Sequence, residues 1–321
     1  MKKNLFLLGL LVCSMATMAQ TEKADKPESW YFKLGGSYFN QTASTEFPVV
    51  GGQEPNRDVY AGTLANNKLV SRESITGSFG QGFRSGITGG YRFSTRLGVE
   101  LSANYYISNS KTMAQTTDRL ISYNPNTTVA TYVSFTAEGQ IKAFDLAPAL
   151  VMFLGEAHGF EPYTKVGVIV PVHGTLDIET TRDYVSFAGA NQVAATKAYS
   201  KDVVKPNATV GFMAAIGTSY KLGKHLSAFA ELEYRNFTVH GKTKETTEYT
   251  ENGVDKLNTT TAFRTASYSA NHTNYHSSID ANSNSTVTNA AGFDSTKATD
   301  DLSSYVGISG LGLTLGVKYS L

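Results

Sequence analysis

The sequence predicts an all-β fold: a transmembrane, antiparallel, up-and-down β-barrel of eight strands, with long extracellular loops and short periplasmic turns. Three observations predict it. Segments of about ten residues alternate apolar with small or polar side chains, the period-two signature of a strand. The connections between them alternate short and long, which puts every long one at the same end of an antiparallel sheet, as in membrane barrels. The face opposite the apolar one holds glycines and charges of both signs.

The chain begins MKKNLFLLGLLVCSMATMAQ. Lys2 and Lys3 precede an apolar run from Leu5 to Val12 and then small residues to Ala19. That is the layout of a secretory signal, residues 1–20, cleaved after Ala19 or Gln20. The run is too short for a membrane helix, which needs about 20 apolar residues. Cys13 is the one cysteine and leaves with the signal. The mature chain then has no disulfide, no thiolate metal site and no cysteine nucleophile. Residues 21–28 form a short periplasmic segment, and 29–321 form the barrel.

Eight alternating segments follow in order. In 29–39, Trp30, Phe32, Leu34 and Tyr38 oppose Lys33, Gly35 and Ser37. In 82–93, Phe83, Ile87, Tyr91 and Phe93 oppose Arg84, Gly86, Thr88 and Gly90. In 97–107, Leu97, Val99, Leu101 and Tyr105 oppose Glu100, Ser102 and Asn104. In 143–154, Phe144, Leu146, Leu150 and Met152 oppose Asp145, Ala147 and Ala149. In 162–172, Val166, Val168, Val170 and Val172 oppose Lys165 and Gly167, although Ile169 blurs the pattern. In 208–220, Val210, Phe212, Ala214 and Ile216 oppose Thr209, Gly211 and Gly217. In 226–237, Leu226, Leu232 and Tyr234 oppose Ser227, Glu231, Glu233 and Arg235. The last, 305–321, sets Leu311, Leu313, Leu315, Val317, Tyr319 and Leu321 against Gly310, Gly312, Thr314, Gly316 and Lys318.

Short links fall at 94–96, 155–161 and 221–225, and long ones at 40–81, 108–136, 173–207 and 238–304. The long links are rich in Ser, Thr, Asn, Asp and Gly; 267–300 has almost nothing to bury and reads as mobile and solvated. Asn252-Gly253 is a two-residue hairpin signal, either a projecting β-ribbon or an ordinary loop turn.

The non-apolar face decides between a soluble and a membrane barrel. Across strands it carries Lys33, Arg84, Glu100, Asp145, Lys165, Glu231, Glu233 and Arg235, four basic and four acidic, among glycines. Glycine on a solvent-facing strand weakens the sheet without gain; in a narrow interior it makes room for long side chains. Buried charges must be paired or hydrated, so these eight form a luminal ion-pair network. Lys33, Glu100, Lys165 and Glu231 lie at one height above the short turns, with Asp145 and Arg235 higher. The outward face carries aromatics at both ends of the strands, among them Trp30, Tyr38, Tyr91, Tyr105, Phe160, Tyr220, Tyr305 and Tyr319. Membrane barrels carry such girdles at both interfaces.

With that architecture and the tail LGVKYSL, the chain resembles the small outer-membrane β-barrels of Gram-negative bacteria, of the OmpA, OmpX and OmpW type, over roughly 29–321. Members commonly finish on an aromatic residue; here Leu321 ends the chain and Tyr319 stands two before it. The resemblance implies location in the cell outer membrane, among its lipids and lipopolysaccharide. It also implies delivery by periplasmic chaperones and insertion by the barrel-assembly machinery, with Leu313, Leu315, Val317, Tyr319 and Leu321 as the C-terminal assembly strand.

Chemistry is sparse. A net charge of +1, with 17% of residues charged, gives no reason to expect nucleic acid. His158 and His225 fall in short turns, and His173 and His240 at strand tops. His272 and His276 have ligand spacing for a helix but sit in a Ser/Asn-rich loop. Gly77–Gly82 leads into a strand and not the helix that a phosphate cradle needs. No catalytic, cofactor or metal residue is assigned. The reading is a non-enzymatic, structural, surface-exposed barrel with a plugged lumen and polar loops that meet a surface ligand. The alternative is a narrow channel for small or hydrophobic solutes. An outer-membrane lipid-modifying enzyme is the third, weaker reading.

Overall fold

The computed structural model describes residues 30–62, 67–207 and 209–321. The signal peptide and the segment 21–28 expected from the sequence lie outside them. Each of the eight alternating segments supplies a ring strand: β1 Trp30–Gln41, β2 Gly82–Arg92, β3 Leu97–Ser108, β4 Val129–Phe153, β5 Phe160–Ala188, β6 Gly211–Lys221, β7 Leu226–Asn236 and β8 Gly310–Ser320. The last segment is divided, because Tyr305–Gly307 is a separate short strand that pairs with Thr238–His240 and not with the ring.

Each of these strands pairs antiparallel with the next in chain order. The last returns to the first, with Tyr31 opposite Ser320 and Gln41 opposite Gly310. The eight therefore form a closed ring. The seam is tied at its base as well: Leu321 N–H donates to Trp30 O at 3.0 Å and Ser320 N–H to His225 O at 2.8 Å. No ring strand is left with an unpaired edge along this height, which is the arrangement that hydrocarbon demands.

The outer face of the ring is apolar. Trp30, Tyr38, Tyr91, Tyr105, Phe160, Tyr220 and Tyr319 are exposed there, and so are Leu311, Leu313 and Leu315; Tyr305 is exposed as well, on the short strand Tyr305–Gly307 outside the ring. At the short-turn end, Trp30 and Tyr91 rings lie 4.8 Å apart and Phe160 and Tyr220 rings 4.6 Å. Among the described residues no helix is long and apolar enough to cross a membrane; the exposed apolar surface is on strands. Ile169, which blurred the alternation, is 3% exposed and belongs to the inner face. The glycines opposite the leucines are filled space. A Cβ on Gly312 would come within 2.6 Å of the Phe39 ring.

The connections correct the sequence reading. Polar loops are expected between eight strands; the described residues instead put 17 strands in one sheet and two in another. Strand β4 runs for 25 residues and β5 for 29, where crossing a bilayer takes about 9–11. They stay paired to their tips, Ala188 opposite Val129. The stretch 173–207 is a hairpin, with β5 turning at Gly189 into the strand Asn191–Pro206. Asn252 and Gly253 both have positive φ, 51° and 78°, as a two-residue hairpin turn requires. The returning strand there is only Val254–Asp255; Thr238–Glu251 finds its long partner in Asn191–Pro206.

The segment 267–300, expected to be loose, is held by side chain–backbone hydrogen bonds. A one-turn helix, Tyr268–Asn271, leads into the strand His272–His276, which pairs parallel with Thr299–Leu302. Asn284 Nδ2 donates to the carbonyls of Asp294 and Ala298 at 2.9 and 2.8 Å. Ser269, Asn271, Thr273 and Ser285 are buried. The segment packs through polar groups, so its lack of apolar residues hides its order.

Candidate functional site

The interior of the ring is built in layers because every second residue of a strand points inward, about 6.6 Å above the last. On β7 the inward series includes Ser227, Phe229, Glu231, Glu233 and Arg235; on β1 it is Tyr31, Lys33, Gly35, Ser37 and Phe39.

The middle layer is a square of alternating charge. Lys33 Nζ lies 2.5 Å from Glu100 and 3.1 Å from Glu231; Lys165 Nζ lies 2.6 Å from Glu231 and 3.6 Å from Glu100. Two phenols complete it. Tyr31 donates to Glu100 at 3.0 Å and Tyr163 to Glu231 at 2.7 Å, and the Lys33 ammonium sits 4.4 Å from the Tyr163 ring. All four charged side chains are buried. Each carboxylate faces two ammonium groups, the condition under which burying such charges is tolerable.

Above it, Arg84 and Glu233 form a two-pronged pair with both N···O distances 2.6 Å. Arg84 also donates to Ser37 at 3.4 Å, and Ser37 and Thr314 hydroxyls are 2.7 Å apart. Between the square and this pair lies a cavity of about 30 Å³, room for about two waters.

Asp145 and Arg235 depart from the sequence reading. The expected network pairs all eight charges, but neither of these two makes an ion pair among the described residues. Asp145 accepts from Asn104 Nδ2 at 2.9 Å. Arg235 is clasped between rings, 4.4 Å from Phe39 and 4.0 Å from Tyr106, and its Nε and Nη2 have no hydrogen-bond partner among the described residues. Period-two reading gives face and height but not position around the ring, so it could not separate a neighbour of Glu233 from its partner.

A lower layer was missed. Glu161 receives Arg92 at 2.5 Å and Lys318 at 3.5 Å. Arg92 packs 4.1 Å from the Phe153 ring and Lys318 4.8 Å from Tyr31. The signal was present: Arg92 is two residues past Gly90 and Lys318 two past Gly316, both on the inward series. The sequence puts Glu161 in the short link 155–161, although it is the second residue of β5.

The top is apolar. Above Arg235, Phe47, Val50, Phe79, Met113, Phe135 and Ile141 belong to one buried cluster. Phe79 is fully buried, and its carbonyl accepts from Tyr106 Oη at 2.6 Å. One side of this cluster reaches the wall. Along β5 the ladder to β6 stops at Ile169, and pairing on that side resumes only at Leu176, with Val204. The interval contains Pro171, which has no N–H to give, and an irregularity between Pro171 and His173. A cavity of about 50 Å³ opens there, lined by Pro171, His173, Pro206, Phe237, Val239 and Ile308 among others.

The assembly-strand residues Leu313, Leu315, Val317, Tyr319 and Leu321 all face outward and are exposed. His272 and His276 lie on a strand; His276 Nε2 is 2.9 Å from Asp300 Oδ1. Among the described residues no three His, Cys, Asp or Glu side chains are grouped to hold a metal ion.

Residues 5–269 match the family described as outer membrane protein beta-barrel domain. Among solved structures, the chain is similar to the outer membrane protein OprG from Pseudomonas aeruginosa, at 12% identity and a TM-score of 0.39, over 93% of this chain and 98% of that one. No curated protein matches the chain.

Proposed function

The chain belongs to the outer membrane protein beta-barrel domain family, and on that premise we propose that it is a non-enzymatic eight-stranded barrel with a plugged lumen and tall surface ribbons. It is a protein of the Gram-negative outer membrane, with its apolar face toward lipid and lipopolysaccharide. The observation that carries the plugged reading is the Lys33–Glu100–Lys165–Glu231 square, which spans the interior from β1, β3, β5 and β7. Eight strands enclose a space that side chains fill, and here charge pairs fill it below while aromatic rings fill it above. The ribbons make the protein a surface-presenting one, and the family resemblance supplies the chaperones and assembly machinery of its biogenesis.

Planar-bilayer recording tests the plug. The folded protein is expected to give no steady unit conductance; a steady conductance that Glu100→Ala enlarges overturns the reading. An unchanged lipid A mass spectrum on deleting the gene is expected of a non-enzyme, and a shifted acyl pattern overturns that part.

A second reading, passage of small hydrophobic solutes, is favoured by one feature, the apolar opening in the wall at Pro171 and Pro206. Uptake of an apolar fluorophore by proteoliposomes separates the two. Uptake abolished by Val239→Trp, which fills the opening, supports passage, and no uptake by the native chain supports the plug.

A further inference from the structure

We infer that the opening in the wall at Pro171 and Pro206 seats one lipid of the outer leaflet, with an acyl chain in the slot and an anionic headgroup on a rim of lysines. In a Gram-negative outer membrane that lipid is lipopolysaccharide. The premise is the reading above, that the apolar face of the ring meets lipid. A resident chain would close the route on which passage of hydrophobic solutes depends.

Strand register sets the height of the slot. His173 on β5 is opposite Phe144 on β4, and Phe144 is opposite Tyr105 on β3. The slot therefore opens at the level of the outer aromatic row, where acyl chains give way to headgroups. Val170, Val172, Val210 and Phe212 are exposed beside it, so the lipid-facing surface runs up to the mouth. Inside, the slot ends on Phe237, Val239 and Ile308 of the buried cluster. His240 Nδ1, at the mouth, already lies 3.1 Å from Asn207 Nδ2 and 3.2 Å from Ser303 Oγ. Apolar cavities of this kind stay dry and take apolar ligands. Its volume of about 50 Å³ holds about four methylene-sized groups, since a water-sized sphere takes about 10–15 Å³.

The rim selects the headgroup. Ile141, Ala143 and Val204 pack on the buried cluster, so Lys142 and Lys205 beside them face outward. Leu176 is opposite Ile141 on one side and Val204 on the other. The two lysines therefore stand at one height on the strands that flank β5, two strand spacings or about 10 Å apart. That height is two residues, about 7 Å, above His173. Lys242 follows Gly241, which lines the slot, and both it and Lys205 are exposed. The carboxylates Asp177 and Glu245 stand one row higher, each opposite Val203. Asp177 takes Lys142 at 3.3 Å and Lys201 at 3.7 Å. Further out, Lys201 lies between Glu179 and Glu248, so the positive row is the one at the slot. A neutral apolar solute has no use for that row. Phosphate does, because ammonium groups give it charge-assisted hydrogen bonds, and basic pockets at the membrane surface hold lipid headgroups in this way.

The test uses the purified full mature chain, folded in detergent and followed by native mass spectrometry. It is titrated with lipid A (the acylated, phosphorylated anchor of lipopolysaccharide), with lipid A stripped of its phosphates, and with phosphatidylcholine. The expected result is one saturable lipid A per chain, bound at least tenfold more tightly than either of the others. Val239→Trp, which fills the slot, is expected to weaken that binding at least tenfold, and so is Lys205→Gln with Lys242→Gln. The two lysines are exposed, so their replacement preserves folding, and unchanged heat-modifiable gel mobility checks both variants. No saturable lipid A, equal binding of phosphate-free lipid A or of phosphatidylcholine, or binding that either variant leaves unchanged overturns the inference. Insertion into phosphatidylcholine vesicles separates the two levels. A chain that inserts but binds no lipid A loses the seat and keeps its membrane face; a chain that does not insert loses the membrane face itself.

Discussion

Arg84 and Glu233 meet across the interior as a planar fork, guanidinium to carboxylate, with both contacts at 2.6 Å. Glu233 is fully buried and Arg84 nearly so, so each charge depends chiefly on the other.

Removing one half of this pair leaves the other as an uncompensated buried charge, which costs about 3–5 kcal/mol. Glu233→Leu alone is therefore expected to lower unfolding stability in detergent or bilayers by that amount. The double variant Arg84→Met with Glu233→Leu is expected to recover most of it, since well-packed apolar residues replace such pairs at little cost. Urea titrations of the three proteins measure this; equal losses in single and double variants would mean that the pair has no mutual stabilisation.

Leu313 is 54% exposed on the outer face of β8. A lipid-facing Arg near the midplane costs about 2–4 kcal/mol, so Leu313→Arg is expected to depress folding into bilayers by that much. Insertion yield into liposomes reads the effect. An unchanged yield and stability would place Leu313 off the lipid.

Gly312, its neighbour on the inner face, tests packing. A Cβ there meets the Phe39 ring at 2.6 Å, and overpacking of this kind costs about 1–3 kcal/mol. Gly312→Val is expected to lose that stability, and Gly312→Val with Phe39→Leu to regain part of it. If the single variant matches the native protein in chemical unfolding, the close approach of Phe39 is not a constraint.

Asp294 lies in the long connection outside the ring strands, and its carboxyl is pulled down to about 2, first by the Thr296 hydroxyl at 2.6 Å, then by the Thr296 N–H and by Lys297 at 3.2 Å. A depressed carboxyl stabilises above its unfolded value near 3.9, and that contribution is lost as pH falls through about 2. Thr296→Val is expected to move the Asp294 titration upward toward the ordinary range. NMR titration of the carboxyl carbon follows it, and an unmoved midpoint would remove Thr296 as the cause.

Much of this was legible in the sequence, and the limits have physical causes. The ring strands announce themselves because one face meets a solvent unlike that met by the other, so period two is sharp. The charge square was legible because Lys33, Glu100, Lys165 and Glu231 share a height above the short turns. The Glu161 layer was not, since turn and strand merge at that end and Glu161 falls on the boundary. Nor were the ribbons. Segments such as Thr238–Glu251 are rich in Thr and charge and have water on much of their surface, so alternation carries no contrast even though Thr favours strands. Asp145 and Arg235 share the inward face with their supposed partners, but azimuth around a ring is not written in one strand.

The length of β5 has an evolutionary consequence. Its 29 residues pair with β4 from Tyr163 to Ala188, regularly beyond the irregularity at Pro171–His173, and backbone groups, which every residue but proline supplies in full, hold that ladder together. The outermost third can therefore exchange side chains freely on its solvated faces without loosening what is anchored below. A protein built this way can change its antigenic coat while keeping its skeleton, so strains should differ most at the ribbon tips and least along the charged interior.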